Sequence, residues 1–279
     1  MSSAKVIDLD AAAALVPDGA RIAFGGGGAA MRRPMDFARA LARRKATGLH
    51  VLHMLGGLET DLLIGAGCVT ATSCAYVGLL EHGQAPNFQR AARERMLQVN
   101  EYSEFMYIAS LRAADMGLPF IPWKTPWGSD MIASLGLRKV VNPYTGDALL
   151  AVPAAQIDVA VIQVRRADAD GYVEMPVEPD LIWDYDTLVA RVAATTIVCA
   201  EEIGPVSDPA RVALIGREVT WVVSAPGGAW PTGLHPLYQP DITHLVTQYL
   251  PAALAGSDQF GEYLSRIEDG SRALLGSDG

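Results

Sequence analysis

Apolar and polar positions along the chain change period several times. Short β-rich runs suit strands at Arg21–Phe24, His50–Met54, Val69–Val77, Ile157–Val164, Thr195–Cys199, Val212–Ile215 and Thr220–Val223. Between them, helical spacing predicts helices over Pro34–Lys45, Asn87–Gln98, Glu104–Met116, Thr187–Val192 and Ile242–Leu250. Several of the strands are uninterrupted apolar runs, which suits a parallel sheet covered on both faces. The alternation predicts an α/β fold, a largely parallel sheet with helices on both faces. No repeat, low-complexity tract or Ser/Pro-rich linker breaks the chain, so one domain over residues 1–279 is expected.

Where the first of these strands hands over to a helix stand four consecutive glycines, Gly25, Gly26, Gly27 and Gly28. Asp18-Gly19 reads as the turn before the strand, and Pro34 as the first residue of the helix. Glycine permits positive φ and removes the Cβ, so main-chain N–H groups there can converge on an anionic or carbonyl-bearing ligand. A tight turn with a packing role is the other reading. No Lys-Ser/Thr follows as in a P-loop, and the G-x-G-x-x-G spacing is absent.

Composition narrows the function classes. The chain has 279 residues, half of them apolar, and a formal net charge of −9. That acidity argues against a nucleic-acid partner, which needs a basic face. It leaves room for a small anion held by a local Arg/Lys cluster. No apolar stretch is long enough to span a membrane, and the N-terminus lacks the apolar core of a secretion signal, so a cytoplasmic protein is expected. Three cysteines (Cys68, Cys74, Cys199) form no C-x-x-C and sit in apolar surroundings, where a small core side chain is the expected role. His235 and His244 are too irregularly spaced for a metal site, and the Arg165-Arg166-Ala-Asp-Ala-Asp-Gly171 turn lacks the spacing and closing glutamate of a calcium loop. No metal and no permanently bound cofactor are expected.

Asp18-Gly19-x-x-Ile22-Ala23-Phe24-Gly25-Gly26 followed by Arg33-Pro34 resembles the α-subunit signature of the class I coenzyme A transferases. Further pieces follow in the family's order: Tyr76–Phe88, Glu101-Tyr-Ser-Glu104, Leu118–Asp130, Asp158–Gly171, Glu201-Glu-Ile-Gly204 and Ala225–Pro231. The resemblance is closest to the α half of glutaconate CoA-transferase. It implies a CoA-transferase α-subunit fold, a homologous β subunit in an α2β2 heterotetramer, and a CoA thioester with a carboxylic acid as substrates. The nucleophilic glutamate belongs to the β half, whose Ser-Glu-Asn-Gly signature this chain lacks. Two departures bear on the acyl pocket. Gly27 with an added Gly28 stands where the family has an aromatic, and Trp230 stands where it tends to have His.

Candidate site residues each carry two readings. Glu104 suits the first turn of a helix capped by Ser103, where the helix dipole stabilises it. Through a resemblance to a sister group of ring-cleaving steroid acyl-CoA hydrolases it is instead a catalytic acid/base, a role that needs a partly apolar cleft. Lys124 and Ser129, in a stretch rich in proline and tryptophan (Pro119, Pro122, Trp123, Pro126, Trp127), either wall an acyl pocket or belong to a stiff surface loop. Arg32 and Arg33 are anion partners of the glycine run or a charged helix start. Glu81 in Glu81-His82-Gly83 echoes a β-half nucleophile, though the flanking residues follow the α pattern. Asp184 or Asp186 is expected to cap the helix after Trp183. The expected function is that of an α subunit in CoA transfer. A ring-cleaving hydrolase using Glu104 and a non-catalytic subunit that binds a CoA ester are the alternatives.

Overall fold

In a computed structural model, residues 5–124, 128–176, 178–179 and 182–267 are described. The strands are β1 (Val6–Ile7), β2 (Arg21–Phe24), β3 (Leu49–Gly56), β4 (Val69–Val77), β5 (Gln98–Glu101), β6 (Phe120–Trp123), β7 (Arg138–Val141), β8 (Ala148–Pro153), β9 (Ile157–Ala167), β10 (Val173–Glu174), β11 (Ala193–Ile203), β12 (Val212–Leu214) and β13 (Trp221–Ser224). The helices are α1 (Leu9–Ala14), α2 (Met35–Arg43), α3 (Leu58–Gly65), α4 (Pro86–Arg93), α5 (Glu104–Asp115), α6 (Asp130–Ser134), α7 (Trp183–Val192), α8 (Ile242–His244), α9 (Leu250–Ala255) and α10 (Ser257–Arg266).

Eight strands form a parallel sheet in the order β1-β13-β11-β9-β2-β3-β4-β5. The expected α/β fold with a largely parallel sheet is therefore present. Alternate residues feed two layers, as the strand period requires. Ile22, Phe24, Val51, Val159 and Val161 face α1–α4 and the C-terminal helices. Ala23, Leu52 and Ala160 face α5 and α7. Met35, Phe37 and Leu41 on the inner stripe of α2 are fully buried, each contributing about 1.5–3 kcal/mol. All three cysteines are buried and unpaired, and burial pushes the Cys68 and Cys74 thiols up to about 11. No described helix is long and apolar enough to cross a membrane.

Several expectations need correction. The predicted helix Asn87–Gln98 ends at Arg93, and Gln98 opens the edge strand β5. The Leu118–Trp123 stretch is not loop throughout: Phe120–Trp123 is an edge strand of a separate antiparallel sheet, β6-β8-β7, where an edge position tolerates Pro122. Pro126 and Trp127 lie outside the described residues. The last predicted helix, Ile242–Leu250, opens with α8 and then widens into a π-turn over Leu245–Tyr249.

Candidate active site

Strand β2 lies where the winding reverses. From it the chain runs one way through β3, β4 and β5, then returns beside β2 as β9 and runs the other way through β11 and β13. In open α/β sheets, ligands bind beyond the carboxyl ends of strands at such a reversal. The glycine run occupies that place.

The run is held from three sides. Gly25 N donates to Val161 O on β9 at 2.9 Å, and Gly27 N to Met31 O at 3.0 Å. Gly26 N donates to Asp186 Oδ1 on α7 at 2.8 Å. The N–H groups of Gly25–Gly27 are thus committed to the protein, so these three glycines shape the turn rather than supply donors. Gly28, Ala29 and Ala30 differ: their N–H groups have no acceptor among the described residues. A trans peptide sends its C=O and the following N–H in opposite directions. Gly28 O accepts from Arg33 inside the protein, so the Ala29 N–H points away from Arg33. Ala29 O faces Leu58 N at 3.4 Å on α3, which turns the Ala30 N–H away from that helix. Ala29 and Ala30 border an apolar crevice completed by Leu58, Leu79, Pro231 and Leu245.

The local sequence explains why this geometry needs glycine. Gly26 has φ +117°, and a Cβ there would lie 2.8 Å from both Arg33 Cδ and Met31 O. Gly28, the added glycine, has φ +67° and takes the left-handed turn. A Cβ on Gly25 would come within 2.8–2.9 Å of Ile162 and Asp186.

Both arginines after the run point inward. Arg33 is fully buried and donates to Gly28 O (Nε, 2.8 Å), Gly25 O (3.2 Å) and Leu55 O (2.5 Å), with Glu59 Oε1 at 3.4 Å. Arg33 therefore braces the loop: set against its two readings, anion partner or charged helix start, the geometry commits its donors to the carbonyls of Gly25, Gly28 and Leu55. Glu59, also fully buried, accepts from Thr60 Oγ1 at 2.9 Å. His53 Nε2 lies 2.9 Å from Glu59 Oε1, poorly aligned for a hydrogen bond. Burial alone would raise the Glu59 carboxyl, but Arg33 and His53 outweigh it and hold it down at about 2. Burial lowers His53 against the pull of Glu59. Arg32, at φ 52°, turns to Asp186 (Nε, 3.4 Å) and stacks 4.9 Å over Trp183. Asp186 lies in the first turn of α7 and ties that helix to the loop; the N-cap position falls on Ile182, not on Asp184 or Asp186.

A third wall comes from the Ala225–Trp230 turn. Glu201 at the end of β11 accepts from Gly227 N (2.5 Å), Tyr238 Oη (2.5 Å) and Gln163 Nε2 (2.9 Å). Burial raises its carboxyl against these donors. Trp230 packs on the C-terminal segment. Its Nε1 donates to Asp241 at 3.1 Å, and its ring lies 4.4 Å from that of His244. The substitution there acts on the packing of the C-terminal helices.

The remaining candidates make no hydrogen bond or ion pair with the glycine run. Glu104 is the exposed first residue of α5, with Ser103 Oγ accepting from Met106 N at 3.2 Å as the cap. Its carboxylate has no hydrogen bond or ion pair with a described residue, and Phe105 beside it is 73% exposed. Lys124 is exposed at the end of β6, and the Ser129 hydroxyl caps α6 by accepting from Met131 N at 3.3 Å. Neither touches the glycine run. Glu81 is exposed on a 3-10 turn with His82 at 3.6 Å. Glu59 and Asp186 escape the sequence pattern as site residues, because their partners stand 26 and 160 residues away.

The sequence profile of the coenzyme A transferases matches residues 6–227. The chain is 32% identical to the A-subunit of glutaconate CoA-transferase from Acidaminococcus fermentans, over 85% of this chain and 80% of that one. It is also 32% identical to the cholesterol ring-cleaving hydrolase IpdA subunit of Rhodococcus jostii, over 81% and 79%. An uncharacterized protein of Archaeoglobus fulgidus is 30% identical over 95% of this chain, which spans only 62% of that protein's length. Among solved structures, a variant of the decarboxylase AibA/AibB superposes with a TM-score of 0.85 at 32% identity, covering 99% of this chain and 100% of that one. Glutaconate coenzyme A-transferase of Acidaminococcus fermentans gives 0.86 at 27% identity, covering 98% and 92%.

Proposed function

Because the chain belongs to the coenzyme A transferase family, as an α-type subunit, we propose that it forms one half of a heteromeric enzyme moving CoA between an acyl-CoA thioester and a carboxylic acid. The homologous β subunit supplies the attacking glutamate. One observation carries this reading: the N–H groups of Gly28, Ala29 and Ala30, which no described residue accepts, in a run braced by Arg33 and Asp186 at the winding reversal.

The chemistry follows from that brace. The partner's carboxylate adds to the thioester carbonyl, whose oxygen takes up negative charge. Preorganised N–H donors stabilise that oxyanion without reorganising at the moment of reaction. Collapse expels CoA thiolate and leaves an acyl-glutamyl anhydride. The thiolate then attacks the glutamyl carbonyl, releasing the first acid and leaving CoA on the enzyme as a glutamyl thioester. The second acid reverses these steps. Arg33 and Glu59 keep the donors in place; neither moves a proton in this scheme.

A second reading draws on Glu104. Its carboxylate is exposed and uncommitted beside an exposed Phe105, and a relative of similar identity is named a ring-cleaving hydrolase. Here Glu104 acts as acid/base in carbon–carbon cleavage of a ring-containing acyl-CoA. A non-catalytic CoA-ester-binding subunit is the third. Assays of the two-subunit complex with acyl-CoA and free acids decide among them. Acid-dependent exchange that survives Glu104→Ala supports transfer, and ring cleavage abolished by that substitution supports hydrolysis. Binding of acyl-CoA without either reaction leaves the scaffold reading.

A further inference from the structure

Beyond Trp230 the third wall continues to Gly233 and clasps the residues that follow the glycine run. Gly233 N donates to Ala30 O at 2.8 Å, and Arg32 N donates to Gly233 O at 2.7 Å, one bond on each side of Met31. Arg33 N donates to Thr232 Oγ1 at 3.3 Å, and Asp36 N to Gly228 O at 3.0 Å. Ala30, one of the three residues whose N–H groups no described residue accepts, is therefore held through its own carbonyl.

That turn is anchored on Glu201. Its Oε2 accepts from Gly227 N at 2.5 Å, and its Oε1 accepts from Tyr238 Oη at 2.5 Å. The Tyr238 hydroxyl accepts in turn from Ala229 N at 3.2 Å, so Glu201 reaches the turn at two points. Gln163, fully buried on β9, fixes the same carboxylate from the sheet: its Nε2 donates to Glu201 Oε1 at 2.9 Å and to Ala225 O at 3.2 Å. Gly228 packs on Gln163, where a Cβ would lie 3.0 Å from Gln163 Oε1. Inside the turn, Gly228 N donates to Ala225 O at 2.9 Å and Thr232 Oγ1 to Ala229 O at 2.6 Å, which links Gly227 to Thr232 and Gly233. Bonds to an ionised acceptor are about twice as strong as neutral ones, and Glu201 accepts from three donors.

We propose that Glu201 is a positioning residue for the thioester site: through the 225–233 turn it sets the place of Ala30 and, with it, of the N–H groups of Gly28, Ala29 and Ala30. It meets no substrate in this role. The inference rests on the thioester reading above. Glu201 acts from β11, which β9 separates from β2 in the sheet, so it braces the run independently of Arg33 and Asp186.

Hydrogen–deuterium exchange of the full chain, followed by mass spectrometry, reads the run directly. In Glu201→Leu, exchange over residues 25–36 is expected to rise about tenfold while that of α5 stays unchanged. Glu201→Gln should fall between, because one amide oxygen keeps either the Tyr238 and Gln163 bonds or the Gly227 bond, not both. Tyr238→Phe, a smaller change, should shift exchange in the same direction and stands in where Glu201→Leu does not fold. In the two-subunit complex with acetyl-CoA and succinate, or succinyl-CoA and acetate, Glu201→Leu should lower kcat about tenfold with KM for the ester unchanged. Exchange over 25–36 that stays at the wild-type rate, or that rises equally in α5, overturns the positioning role. So does a loss seen only in KM. If exchange responds locally but the wild-type complex turns over neither ester, the thioester reading fails, and Glu201 is left as a brace with no part in catalysis.

Discussion

Replacing Arg33 by methionine removes the brace beneath the glycine run and strands a buried carboxylate. Glu59 is fully buried, and its folded value of about 2, against an ordinary 4.5, corresponds to about 3 kcal/mol of stability. Because the folded value is lowered, that contribution is present above pH 4.5 and is lost as pH falls from 4.5 towards 2. In Arg33→Met, burial acts on Glu59 without its main counter-charge, so the folded value moves upward. Stability then falls as pH rises through the raised value. Breaking a buried pair from one side costs about 3–5 kcal/mol, and the carbonyls of Gly25, Gly28 and Leu55 lose their donor as well. The stability gap between wild type and variant is therefore expected to widen from pH 4.5 to pH 7, reaching at least about 3 kcal/mol. Urea unfolding followed by circular dichroism at both pH values measures it. In Arg33→Met/Glu59→Leu the widening disappears, since no stranded charge remains. A gap below about 1 kcal/mol, or one independent of pH in the single variant, refutes the reasoning.

Other substitutions probe the neighbouring elements. Burial raises Asp61 to about 6 from 3.8, so it favours folding below pH 3.8 and that advantage is lost as pH rises through 6. Unfolding titrations of Asp61→Asn should lack this about 3 kcal/mol pH dependence. Asp186→Ala strands the Gly26 N–H and removes the carboxylate paired with Arg32, and should cost about 3–5 kcal/mol in the same assay, whereas Asp186→Asn, which still accepts from Gly26, costs less. Glu104→Gln should change stability by under about 1 kcal/mol, because it loses only a helix-dipole interaction at an exposed position. In steady-state assays it leaves acid-dependent CoA exchange intact and stops any ring cleavage.

What is legible in the sequence follows a physical division. Strands β2 and β4 are bounded to the residue by their own pattern, since each is a β-rich run stopped by glycine or a turn. The glycine run itself is visible as a strand-to-helix turn. Which of its N–H groups stay free is not, because that depends on Arg33, Asp186 and Val161 reaching it through tertiary contacts. Helix α3 escapes the periodicity because it is buried nearly all round and carries Glu59 and Asp61 inside, so no apolar stripe marks it. Those carboxylates pair with Arg33, Asn87 and Tyr249, partners that no local pattern connects. Asp186 looks like a cap for the same reason: its acceptor oxygens go to a loop, not to its own helix.

The most direct test of the two-half account is mass spectrometry of the complex after incubation with acyl-CoA and no acceptor acid. The account predicts CoA linked as a thioester to a glutamate of the partner subunit, with this chain unmodified and the adduct lost in complexes carrying Arg33→Met. An adduct on Glu104 or Glu81 of this chain, or steady exchange by this chain alone, contradicts it.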